Sequence, residues 1–143
     1  MAIATVCAAA SKKSAAQKGL IVFIGALAGA LPDLDVISLW SGFDGSIGKW
    51  LGVTHPGRDI YFGKYWYSHH AITHSVFADL VLSFLLVGLI FLKRKRFTNF
   101  PWIYPMTFFL AYQMHLFGDM PTPGSVWEGV QYWYPSDDYV GGW

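Results

Sequence analysis

Cysteine is almost absent, Cys7 being the single example. One thiol excludes a disulfide framework and any zinc site built from several cysteines. Cys7 reads instead as a small apolar residue in an Ala-rich helix. Charge is also scarce, at 13% of residues, and the net charge of +1 carries no broad basic surface. Nucleic acid is therefore not an expected partner. No Ser-His-Asp arrangement and no nucleophilic cysteine are evident, which disfavours a covalent mechanism.

Apolar side chains are abundant: 54% of residues are hydrophobic and 18% aromatic, which places the chain with membrane proteins. Three long runs carry this character. Residues 20–31 are continuously apolar, and the run continues past an Asp pair to Trp40. Residues 76–92 are apolar except for Asp79 and Ser83, and residues 101–117 except for Thr107, Gln113 and His115. Each run is near the lower limit for crossing a bilayer, which takes about 20 helical residues. The expected fold is all-α, a polytopic membrane helical bundle formed as a single membrane-embedded domain over residues 1–143. Gly25 and Gly29 form a GxxxG pair that suits close helix packing. Residues 1–10 look like the end of a further apolar helix whose beginning is missing. A competing reading makes the first run a secretory signal peptide, with Lys12, Lys13 and Lys18 ahead of a short apolar core. Cleavage after Ala30 would leave two runs and put the Asp pair at a new terminus.

Basic residues set the expected orientation. Lys12, Lys13, Lys18, Lys93, Arg94, Lys95 and Arg96 are seven of the ten Lys and Arg residues, and they occupy two short segments without Asp or Glu. The positive-inside rule assigns both segments to the cytoplasm. Three spans then put the 41–68 loop and the 120–143 tail outside. Both segments are rich in Trp and Tyr, which form an interfacial belt or wall a site open to lipid head groups. Repeated glycines make the loop irregular.

The ligand-type side chains gather at that same end. Lys18 precedes Asp33 by fifteen residues, about 22 Å of helix. Pro101 precedes His115 by fourteen, about 21 Å. His74 precedes Lys93 by nineteen, about 28 Å. Against a hydrocarbon core of about 30 Å, all three clusters sit near the outer interface. His115 and Asp119 are one helical turn apart and able to ligate one ion together. Asp33 and Asp35 follow Pro32. They diverge by about 200° in a regular helix, unless Pro32 breaks it and lets them converge; otherwise they cap the next turn and face water. His70 and His74 share a helix face if a helix starts at an N-cap Ser68. Thr73 and Ser75 are candidate hydrogen-bonding partners behind the ligands. Asp79, deeper in its run, must pair with a His, a Ser or a metal, since an unpaired intramembrane carboxylate costs several kcal/mol. His55 reads as a loop residue.

Three strings in order, LPDLD (31–35), HHAITHS (69–75) and HLFGDMPT (115–122), make the chain resemble the YdjM family of inner-membrane proteins, grouped as metal-dependent hydrolases and including LexA-regulated members. The resemblance implies Asp33, Asp35, His69, His74, His115 and Asp119 as metal residues. It prefers His69 over His70, which occupies the family's Arg position, while Ala71 occupies its Gly position. It also implies a Thr-His in an earlier helix that this sequence lacks.

The expected function is a membrane-embedded hydrolase using a divalent metal, zinc foremost and manganese second. It would act on an ester or phosphoester, a lipid included, at the outer face of the bacterial inner membrane. The candidates for its chemistry are Asp33, Asp35, His74 and Asp119, one carboxylate serving as general base. Membrane lipid and a small-molecule or lipid substrate are the expected partners. Two other classes use the same residues: an ion or proton transporter, and a structural or regulatory membrane protein with a structural metal.

Overall fold

The computed structural model describes residues 2–94, 100–121 and 129–142. Lys95, Arg96, Thr122, Trp127 and Trp143 lie outside the described residues. Within them the fold is all-α, with six α-helices and two 3-10 helices, plus an isolated bridge between Val130 and Val140. The chain divides into two compact units, Met1–Leu31 with Ala78–His115, and Pro32–Phe77 with Leu116–Trp143.

The first unit holds α1 (Ala2–Ala10), α2 (Ala15–Ala30), nearly all of α5 (Val76–Arg94) and most of α6 (Ile103–Asp119). Helix α2 starts where Ser14 and Gln17 form a reciprocal capping box, each side chain accepting the other's backbone N–H. Ala8, Ile21 and Tyr104 make a buried core, with Cys7, Val22, Ile24, Ile90 and Ile103 packed against it. Cys7 thus serves as a small apolar residue. Asp79 is fully buried, accepting hydrogen bonds from Ser83 Oγ (3.2 Å) and Gln113 Nε2 (2.6 Å). A serine was among the partners expected for it; the glutamine comes from another helix.

The two glycines of the GxxxG pair separate in the structure. A Cβ on Gly25 would collide with Ala4 Cβ of α1, whereas one on Gly29 meets nothing within 4 Å. Gly25→Ala is therefore expected to lower stability by about 1–3 kcal/mol through overpacking. Gly29→Ala is expected to be neutral or slightly stabilising from helix propensity. Denaturation of both variants in detergent checks the contrast, and equal effects would contradict it.

Among the described helices, α5 is long and apolar enough to cross a membrane, with a mean hydropathy of 2.3 over Val76–Lys93. Only 11% of that window is buried. Phe84, Leu85, Leu89 and Leu92 are all exposed, an outward face that suits lipid rather than water. The first run is not one continuous helix. Helix α2 ends at Ala30 and a 3-10 helix, Pro32–Leu39, follows, so the two qualify as a span only as a bent pair. Pro32 lacks the N–H that would continue the α-helical ladder. The third run forms α6, of 17 residues. One crossing, or two with the bent pair, is what length and composition give.

The second unit is irregular, as its glycines suggested. After the Pro32–Leu39 3-10 helix come α3 (Ile47–Leu51), α4 (Gly57–Phe62) and a short 3-10 helix, Ile72–His74. Asp44 Oδ1 accepts the N–H of Gly57 at the start of α4, at 2.7 Å. The tail folds back along residues 70–76. Gln131 N–H donates to His70 O (2.8 Å), Val76 N–H to Tyr132 O (3.0 Å) and Gly142 N–H to Met120 O (2.8 Å).

Candidate metal centre

Residues 68–75 do not form the α-helix that the His70–His74 spacing requires. Ser68 is not an N-cap; its hydroxyl accepts the N–H of Tyr65 at 2.9 Å. Helix α5 begins only at Val76. The segment instead turns sharply at His70, whose φ of 62° lies in the left-handed region that non-glycine residues seldom adopt. The tail holds that turn. His70 Nδ1–H donates to Gly129 O at 2.8 Å, and Gln131 N–H returns a bond to His70 O. Gly129 itself has φ 91°, and a Cβ there would strike the carbonyl of Val140, so the residue presenting this carbonyl is a glycine of necessity.

The turn brings His69, His70 and His74 together. All three are buried, and one ring nitrogen from each lies within 4.8 Å of the others. His70 is thereby part of the cluster, a place that its spacing from His74 favoured and the family pattern left in doubt. Its pKa falls to about 4, because of burial first and then the neighbouring His74 and His69. It is a neutral imidazole at physiological pH, with Nδ1–H engaged by the Gly129 carbonyl.

Asp35 approaches His69 Nδ1 with both carboxylate oxygens, at 2.9 and 3.1 Å, and takes a longer contact of 3.5 Å from Thr73 Oγ1. A carboxylate on Nδ1–H fixes the tautomer and leaves Nε2 as the ligating atom, the usual arrangement behind a metal-bound histidine. Asp35 is thus placed to orient a ligand. Thr73 sits behind the cluster as its position suggested, also 3.3 Å from His74 Nδ1. Ser75 instead bonds the carbonyl of Ile72 at 2.6 Å.

His74 is fully buried, with Nε2 3.5 Å from Asp33 Oδ1 and 3.4 Å from Asp119 Oδ2. Charge-assisted N–H···O bonds run at about 2.7–2.9 Å, and one N–H cannot point along two such directions. A tetrahedral ion bonded at about 2.0–2.1 Å to each donor separates neighbouring donors by about 3.4 Å. Each of the two separations from His74 Nε2 matches that spacing between neighbouring donors. Burial lowers the His74 pKa, but the Asp119 and Asp33 contacts outweigh it and leave the group above its ordinary value. Asp33 is about half exposed, so the site opens to solvent on its side, whereas Asp119 Oδ2 is buried. The 3-10 helix matters here. At about 120° per residue, Asp33 and Asp35 emerge on separate directions, one toward His74 and the other toward His69.

His115 lies on α6 in the first unit, one turn before Asp119. His55 stays in the loop, bonded through Nδ1 to Tyr67 Oη (2.7 Å) and stacked on Tyr65 (4.1 Å). Tyr61 was indistinguishable in sequence from the other loop aromatics. Its ring stacks on His69 with centroids 4.4 Å apart and planes at 14°. Burial, then the charges of Asp35, Asp33 and Asp119, raise its phenol pKa, so it remains a protonated donor beside the carboxylates.

The His/Asp group is able to hold a metal ion. A family model described as YdjM inner membrane protein matches residues 1–142. No curated protein and no solved structure matches the chain.

Proposed function

The chain belongs to the YdjM inner membrane protein family, and from that footing we propose that it is a metal-dependent hydrolase embedded in the bacterial inner membrane. Its substrate is an ester or phosphoester at the outer face. The observation that carries this reading is the placement of Asp33 Oδ1 and Asp119 Oδ2 at 3.5 and 3.4 Å from the buried His74 Nε2. Mixed nitrogen and oxygen donors suit zinc first and manganese second. A divalent ion held there would lower the pKa of a water toward neutrality and polarise a carbonyl or phosphoryl oxygen.

The protein's own groups divide the remaining work. Asp33, the most exposed of the carboxylates around His74, is placed to accept a proton from the attacking water. Asp35 orients His69, and the Gly129 carbonyl orients His70. Tyr61 offers a phenolic O–H to an oxygen that gains negative charge. Because Asp35 acts through His69, Asp35→Asn is expected to weaken metal affinity by about 10–100-fold without abolishing binding. Isothermal titration with zinc measures it. Unchanged affinity would remove Asp35 from this role.

We further read the chain as multi-pass, with residues 12–18 and 93–96 in the cytoplasm. Both acidic and aromatic segments then lie outside. Cysteine labelling in intact cells at positions 45 and 137 tests this, and labelling only after the inner face is opened would reverse it. The hydrolase reading is tested on detergent-purified protein by metal analysis and a screen of ester and phosphoester lipids, each with and without chelator. Full activity after chelation would overturn it.

A further inference from the structure

The second unit contains a cavity of about 540 Å³ lined by Ile37, Ser38, Phe43, Leu51, Val53, Ile60 and other residues of the loop, with Asp35 in its wall. Its volume falls within the ~300–1,000 Å³ of small-molecule sites. The lining is predominantly apolar, with Asp35, Ser38, Thr54 and Tyr67 as its polar side chains. Asp35 is the carboxylate that holds His69, so one end of the cavity touches the back of the His/Asp cluster. Ser38 is buried, and its Oγ has no hydrogen-bond partner among the described residues. A buried hydroxyl left unsatisfied costs free energy that a bound polar atom would recover. Toward the outside, Ile37, Leu51 and Trp66 are well exposed, an apolar rim at the mouth of an apolar cavity.

We propose that this cavity binds the single apolar tail of an amphiphilic substrate, which presents its ester or phosphoester to the His/Asp cluster while Ser38 Oγ donates to an oxygen near the head of the tail. The proposal rests on the hydrolase reading for what happens at the head, but the cavity's occupancy is measurable without turnover. Three features point to a single tail: the size of one ligand, the predominantly apolar lining, and exposed apolar side chains among the lining residues in a protein of the membrane. A tail-free phosphoester would gain nothing from this surface, and each buried methylene contributes about 0.8 kcal/mol.

The test uses the full chain in lipid nanodiscs with hexadecyl phosphate carrying a diazirine near the end of the chain. Photolysis and peptide mass spectrometry then locate the labelled residues. The expected labels fall on Phe43, Val53 or Ile60, competed by hexadecyl phosphate and not by glycerol phosphate. Leu51→Trp and Ile37→Trp, at exposed rim positions that accept bulk, are expected to reduce cavity labelling about tenfold, the loss of roughly one side chain's worth of apolar contact. Zinc content measured on the same samples should stay at the parent level. Labelling confined to the lipid-facing side chains of α5, or cavity labelling that both rim variants leave unchanged, overturns the proposal. Specific labelling with no hydrolysis of any lipid would keep the cavity assignment while removing the hydrolase reading.

Discussion

Asp119→Asn and His74→Ala are each expected to strip the divalent metal from the purified protein and lower hydrolysis by more than ~100-fold, since even the groups behind a ligand are worth about 10–100-fold. The reason is geometric. Asp119 Oδ2 and Asp33 Oδ1 flank a single buried nitrogen at 3.4 and 3.5 Å, and losing one donor from so small a set breaks the coordination. Asp119→Asn keeps the shape of the side chain and removes only its charge, which separates ligand loss from a packing defect. The core around Ile21 and Tyr104 contains none of these groups, so both variants are expected to remain inserted and folded. Metal analysis, melting curves with and without chelator, and a lipid-hydrolysis assay run side by side distinguish the possibilities. Variants that aggregate on metal loss would indicate a structural ion. A parent protein that conducts ions and hydrolyses nothing would indicate a transporter.

Acidification is expected to weaken metal binding about tenfold for each pH unit below the His74 pKa, because one proton competes for the ligating nitrogen. That pKa lies above its ordinary value, so the competition starts at a higher pH than for an unperturbed imidazole. His70, at about 4, adds no competing proton until well into the acid range. The metal-free protein should respond in the opposite sense. A group whose folded pKa is raised stabilises the fold fully below its unfolded value and loses that contribution as pH rises through the folded value. Protonated His74 between Asp33 and Asp119 therefore makes the chelated protein relatively more stable at acid pH, and the contribution disappears above neutrality. Zinc titrations from pH 5.5 to 8, with parallel melting of the chelated protein, check both slopes. Metal affinity independent of pH over that range would contradict His74 as a ligand.

Much of the site could be read from the linear order of residues, and the parts that could not share a cause. Asp33, Asp35, His74 and Asp119 stood out because imidazoles and carboxylates are costly beside long apolar runs, while the choice of His69 came from the family resemblance. A serine was among the partners expected for buried Asp79, and the bond to Ser83 is present. The argument from spacing named His70 on a wrong premise, because it presumed a helix where the chain makes a left-handed turn and a 3-10 segment. That turn is held by Gly129 and Gln131, some sixty residues away. Tyr61 could not have been singled out, since nothing local distinguishes the aromatic that stacks on His69 from its neighbours.

By itself, then, the sequence determined the helical class, the apolar stretch of α5 and the segregation of basic from acidic residues. These depend on composition and on periodicities a few residues long, which the backbone geometry of a helix imposes directly. Tertiary structure alone decided that Asp35 orients His69 while Asp33 reaches His74, that His70 joins the cluster, that Gly25 and not Gly29 is a point of close approach, and that a cavity opens behind Asp35. Each of those depends on which distant segments come to lie beside one another. A turn, a 3-10 helix and a returning tail set that pairing, and none of the three carries a periodic signal.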